Sequence, residues 1–201
     1  MVSKLALAVQ EAHRQACEQT ADREIVAGLA VRYHEITDGL GSRKRPEDYG
    51  AFPTDAHSHT PAHAGAQQPG MTGQVKEDLL ARWGELGVGM TDGRLHFLPR
   101  LLRRSEFRHD RSEFVYSDVS GAEQTLALPP RALAFTVCQA PVVYVLSGKP
   151  GLEVSDLRGE TVTHAEPRLS RDETTSVLRR RGAISRIVVR VSEELLFQDR
   201  A

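Results

Sequence analysis

The sequence predicts an α+β protein: a helical segment over residues 1–89 that carries a long histidine- and proline-rich loop at 40–71, then an antiparallel β-sandwich over 90–201. Two observations carry that reading. Up to Leu86 apolar residues recur at three- and four-residue spacing, the period of a helix with one buried stripe. After Gly87 the spacing falls to two, β-branched residues accumulate, and turn dipeptides recur at Asp92-Gly93, Ser120-Gly121 and Pro129-Pro130.

Leu5, Val9, Ala12 and Ala16 set the stripe of a first helix, and Ile25, Leu29, Tyr33 and Ile36 that of a second. Asp22 is placed to cap the second helix, Gly39 and Gly41 to end it, and the short Gln19 to Ala21 link makes the pair an antiparallel hairpin. A third helix follows the loop, with Thr72 as N-cap, Val75, Leu79, Trp83 and Leu86 as its stripe, and Gly87 and Gly89 as its stop. Nine short strands are expected after it, at 94–97, 105–108, 113–117, 124–128, 133–138, 142–146, 152–156, 160–163 and 185–191.

Composition narrows the classes of function. Of 201 residues, 40% are hydrophobic and 26% charged with a net charge of -1, which suits a globular cytoplasmic protein and offers no field to attract nucleic acid. The basic runs at Arg100–Arg104 and Arg179–Arg181 are local and have acidic residues nearby. Polar residues interrupt the apolar run after Lys4 too early for a signal peptide or a membrane span. Two distant cysteines, Cys17 and Cys138, read as small buried hydrophobes rather than a disulfide framework. Nothing in the sequence asks for a cofactor, and no P-loop, GxSxG, HExxH or CxxC motif is present.

The loop at 40–71 has no period and carries prolines at 46, 53, 61 and 69. Thirty residues without regular structure inside a domain are uncommon and are either functional or disordered. His57, His59 and His63 sit at spacings that permit a metal site and so a small metal-dependent hydrolase, yet Pro61 and Ala62 stand where the common zinc-hydrolase motif needs an aspartate and a histidine. The competing readings are histidines hydrogen-bonded within the loop, or histidines that touch substrate. Gln67 and Gln68 add adjacent amides. Pro69-Gly70-Met71-Thr72-Gly73 then brings glycine-flanked backbone amides and a hydroxyl to a helix start, an arrangement that favours anions. A capped helix would look the same.

One stretch carries a resemblance. The helix opened by Thr72-Gly73, then Gly84-Glu85-Leu86-Gly87-Val88, Asp92-Gly93-Arg94-Leu95 and Phe97-Leu98-Pro99 resembles the end of the catalytic toroid in glycoside phosphorylases of the cellobiose phosphorylase type, together with the start of their β domain. It covers about Gln67 to Pro99; beyond that only the order of elements agrees. The resemblance implies that Leu5 to Gly39 and Thr72 to Leu86 are the last hairpins of an (α/α)6 toroid and that a β-sandwich buttresses them. It implies inorganic phosphate or a glycan at Thr72 and Gly73, with His59 or His63 beside it and Gln67 and Gln68 on the rim. Gln74 departs from the small apolar residue that the family pattern has after the glycine, and the family's general acid has no counterpart here. The chain is therefore expected to be a C-terminal fragment of a carbohydrate-active enzyme, inactive alone. Helix faces left open would then meet a second copy or a separately encoded N-terminal partner. A non-enzymatic interaction or structural module is the reading from a different class.

Overall fold

A computed structural model describes residues 2–40 and 71–198, with side chains from 3–40 and 76–198. It forms an α+β protein of two compact units, residues 1–84 and 85–201. The first contains α1 (Val2–Glu18), α2 (Arg23–Asp38) and nearly all of α3 (Met71–Glu85). Asp22 caps α2 as expected, its carboxylate accepting the Glu24 N–H at 2.9 Å. Thr20 closes α1 in the left-handed region at φ 55, and the Ala21 N–H reaches back to Ala16 O at 2.9 Å.

Tyr33 and Leu86 are buried as expected, but α1 and α2 otherwise pack through faces set about one position away from the expected stripes, and α3 departs from its stripe at Leu79 and Trp83. On α1 the buried residues are Ser3, Ala6 and His13, while Leu5 is 53% exposed. On α2 they are Ala30, Tyr33, His34 and Thr37, while Ile25 is 56% exposed. On α3 Ala81 is buried, whereas Leu79 and Trp83, read from the sequence as stripe residues, are 68% and 41% exposed. The reason is visible in the contacts, which are polar and close. Gln10 Nε2 donates to Ala81 O at 2.8 Å and Ser3 Oγ to Glu77 Oε2 at 3.0 Å. A Cβ on Gly84 would stand 2.3 Å from the Gln10 amide, so α1 and α3 approach where only glycine fits without a shift.

Among the described residues the second unit holds nine strands in three sheets. β1 (Val88–Thr91) and β2 (Arg94–Phe97) form a hairpin through Asp92 and Gly93, at φ 53 and 71, the mirror-image turn that suits strand twist. β1 was not expected, because Gly87 and Gly89 read as a helix stop; Gly89 instead sits opposite His96, where a Cβ would lie 2.3 Å from the imidazole. The expected strand at 105–108 is instead a single helical turn, Arg104–Glu106, which follows a buried Leu101-Leu102 pair in the chain. β3 (Ser112–Ser117) and β4 (Glu123–Leu128) form a second hairpin.

The main sheet takes β5 (Ala132–Val137), β6 (Ala140–Leu146), β7 (Gly151–Asp156), β8 (Thr161–His164) and β9 (Ile184–Val191) in the order β5-β6-β9-β7-β8. It is not wholly antiparallel, as the sequence reading had it: β6 and β9 run parallel. A parallel neighbour needs a crossover, and α4 (Arg171–Leu178) supplies it between β8 and β9. That helix was missed because its only apolar residues are Val177 and Leu178, although Ser170 and Glu173 form a reciprocal capping box. One sheet face contributes Val142, Tyr144, Leu152, Val154, Ile187 and Val189 to the main core. The other carries Val143, packed with Phe114 and Leu126 of the β3–β4 hairpin.

Candidate functional site

The residues singled out from the sequence fall in two groups. His57, His59, His63, Gln67 and Gln68 lie outside the described residues. Thr72 and Gly73 lie within the first turn of α3, which opens at Met71, so Thr72 is a helical residue and not the N-cap. First-turn amides have no partner within their own helix, which is the chemical content of the proposed anion site. Among the described residues no three histidine, cysteine or acidic side chains come close enough to hold a metal ion, and no helix is long and apolar enough to cross a membrane.

The stretch that carries the resemblance is anchored by its backbone. Gly87 stands at φ 64, where a Cβ would lie 2.0 Å from the Leu98 carbonyl carbon; Leu98 N–H donates to Gly87 O at 2.8 Å. Buried Tyr144 donates its hydroxyl to Leu86 O at 2.5 Å, and Phe97 packs edge-on against its ring at 6.4 Å. Burial pushes the Tyr144 hydroxyl pKa well above its usual value, so it remains a donor. Leu86, Gly87, Phe97 and Leu98 therefore explain their own place in the sequence through packing.

His164 at the end of β8 and Glu166 two residues on have separate partners. His164 Nε2 meets Glu173 Oε1 at 3.0 Å, and Glu166 pairs with Arg168 at 2.5 Å. Glu173 also accepts the Ser170 N–H at 2.7 Å. Burial disfavours the Glu173 charge, but Ser170 and His164 outweigh it, and its pKa falls below the usual value of 4.5. A depressed acid contributes stability that is present above its unfolded pKa and is lost as pH falls through the folded one. Glu173→Gln should accordingly lower the urea midpoint at pH 7, and the gap to the parent should narrow as pH falls below the usual carboxylate value of 4.5. An equal gap at pH 7 and pH 3 would refute the assignment.

The cysteine expectation changes as well. Both cysteines are free and partly exposed, and Cys138 belongs to the β5–β6 turn, since β5 ends at Val137. Cys138 and Gln139 both occupy the left-handed region, at φ 48 and 69, in a turn where Asn-Gly would be usual. That turn borders a cavity of about 390 Å³ in the β unit, which nothing in the sequence signalled. Compared with known proteins, the chain matches no family model and no curated protein.

Proposed function

We propose that the chain is a C-terminal part of a carbohydrate-active enzyme of the toroid glycoside phosphorylase type, holding part of a phosphate or glycan site and not the catalytic acid. The observation that carries this reading is the state of the helical unit. Its helices join through small and polar faces while Leu5, Ile25, Leu79, Leu80 and Trp83 remain exposed, as helices of a larger array would be. The stretch from Gly84 to Pro99 supports it by leading from a helix into a β unit in the family's order. In this reading the β unit is the buttressing sandwich, with the β3–β4 hairpin as part of its second layer. The phosphate lies at the first-turn amides of α3, with Thr72 and Gly73 in contact, His59 or His63 beside it and Gln67 and Gln68 at the rim. The compartment is the cytoplasm.

Isothermal titration of the full chain with inorganic phosphate and with small β-linked glucans tests this. Phosphate or a glucan should give saturable heat, and Thr72→Val should weaken that binding about tenfold, the loss of one hydrogen bond to a charged group. Absence of heat with every ligand overturns the reading.

A second reading, a non-enzymatic interaction module, is favoured by the adjacent exposed residues Leu79, Leu80 and Trp83. It expects a homo-oligomer or a hetero-complex that Leu79→Lys disrupts, measured by light scattering, with no response to phosphate.

A further inference from the structure

The cavity in the β unit has a wall of mixed chemistry. Its wall includes the β3–β4 hairpin with Tyr116 and Asp118, the β5–β6 turn with Cys138 and Gln139, and the C-terminal end of α4 with Arg180. Leu157, Val177 and Ile184 supply an apolar side. A volume of about 390 Å³ is in the range of small-molecule sites.

Several polar groups on this wall already have partners and hold it in shape. Asp118 Oδ1 accepts the Ser120 N–H at 2.8 Å, the Ser120 hydroxyl at 2.6 Å and the Ala122 N–H at 3.1 Å, and Oδ2 accepts Gln124 Nε2 at 2.8 Å. Gln139 Nε2 donates to Asp118 O at 2.8 Å, which ties the two turns together. Ser185 Oγ donates to Asp156 O at 2.6 Å. What remains is a set of donors. Arg180 forms no ion pair among the described residues, and the Tyr116 hydroxyl, its pKa raised by burial and by the Asp118 charge, stays protonated at neutral pH.

The backbone supplies an independent observation. Six non-glycine residues among those described have positive φ, and three of them, Cys138, Gln139 and Arg180, line this one cavity. Arg180 follows α4 at φ 51, with its N–H on Val177 O at 2.9 Å and the Arg181 N–H on Ser176 O at 3.0 Å. That is the helix-ending motif whose left-handed position normally belongs to glycine. Favourable interaction with the helix C-terminus would account for a cation nearby, but Arg179 and Arg181 provide it without strain and do not line the cavity. Strain collected at one concave site points to function.

We propose that this cavity binds a small organic anion, with Arg180 taking its carboxylate or phosphate group, the Tyr116 hydroxyl as a further donor, and the apolar side taking the body of the ligand. The proposal stands apart from the site at Thr72 and does not depend on it.

Cys138 gives a direct readout, because the chain has two cysteines and Cys17→Ser leaves it as the sole thiol. In that background, modification of Cys138 by a thiol reagent is followed with phenyl phosphate, benzoate or inorganic phosphate present. Phenyl phosphate or benzoate should slow the reaction in a saturable way; which of the two acts at lower concentration identifies the charged group. Arg180→Gln should raise the half-protecting concentration about tenfold or more, and Arg179→Gln should leave it unchanged. Arg180→Gly separates binding from folding: it relieves the left-handed strain, so the urea midpoint should rise while protection is lost. Failure of both aromatic anions overturns the proposal. So does equal protection by inorganic phosphate, or equal loss in Arg179→Gln.

Discussion

Gly87→Ala should destabilise the protein by about 3 kcal/mol or more, well beyond an ordinary glycine substitution. Two costs combine. At φ 64 an alanine is held in the left-handed region, and its Cβ would stand 2.0 Å from the Leu98 carbonyl carbon and 2.4 Å from Pro99 N. Those obstacles are backbone, part of a segment closed by the Leu98 N–H bond to Gly87 O at 2.8 Å, so neither side can yield without breaking it. Two controls separate the terms. Gly93 has φ 71 with nothing within 4 Å of a Cβ, so Gly93→Ala isolates the strain, about 1 kcal/mol. Gly84 has negative φ and meets only the Gln10 side-chain amide, which can rotate, so Gly84→Ala should cost about 1 kcal/mol or less. Urea denaturation followed by far-UV circular dichroism measures all three. If Gly87→Ala cost no more than Gly93→Ala, the close approach would not be the reason for glycine there.

Local chemistry accounts for what was legible in the sequence. Asp22 and Asp92-Gly93 act through interactions within a few residues, and both fold as their composition demands. The strands from β3 to β9 were legible because β-branched runs between turn signals need no knowledge of partners. Strand order was not legible. β9 enters between β6 and β7, a pairing decided by the crossover, and α4 carries too little apolar sequence to announce itself. The faces of the helices were misread for a related reason. Periodicity locates apolar residues, but packing in this unit runs through Gln10, Ser3 and Gly84, whose value lies in hydrogen bonds and close approach.

The candidate sites differ in the same way. Thr72 and Gly73 were visible because a helix start has a compositional signature, and the structure places them in the first turn of α3. The β-unit cavity was invisible because Cys138, Gln139 and Arg180 adopt conformations that their residue types do not advertise. Where sequence and conformation disagree this openly, function is the first place to look for the cause.

Ile187→Ala should cost about 4 kcal/mol, a large fraction of the 5–15 kcal/mol that holds a typical domain together. Ile187 is fully buried in β9, the central strand, opposite Val142 of β6 on one side and Val154 of β7 on the other. Removing three carbons there loses transfer energy and leaves a cavity between two strand pairings whose hydrogen bonds prevent collapse. Ile187→Val, which removes one carbon, should cost about 1 kcal/mol. Val115, on β3 and 53% exposed, is the control: Val115→Ala should change stability by about 0.5 kcal/mol or less. The midpoint in urea should fall in the order Ala below Val below parent at position 187 with an unchanged slope, since the surface exposed on unfolding is nearly the same. A cost for Ile187→Ala no larger than for Val115→Ala would mean that β9 is not the centre of the sheet. The parallel pairing with β6, and the crossover through α4 that it requires, would then fall with it.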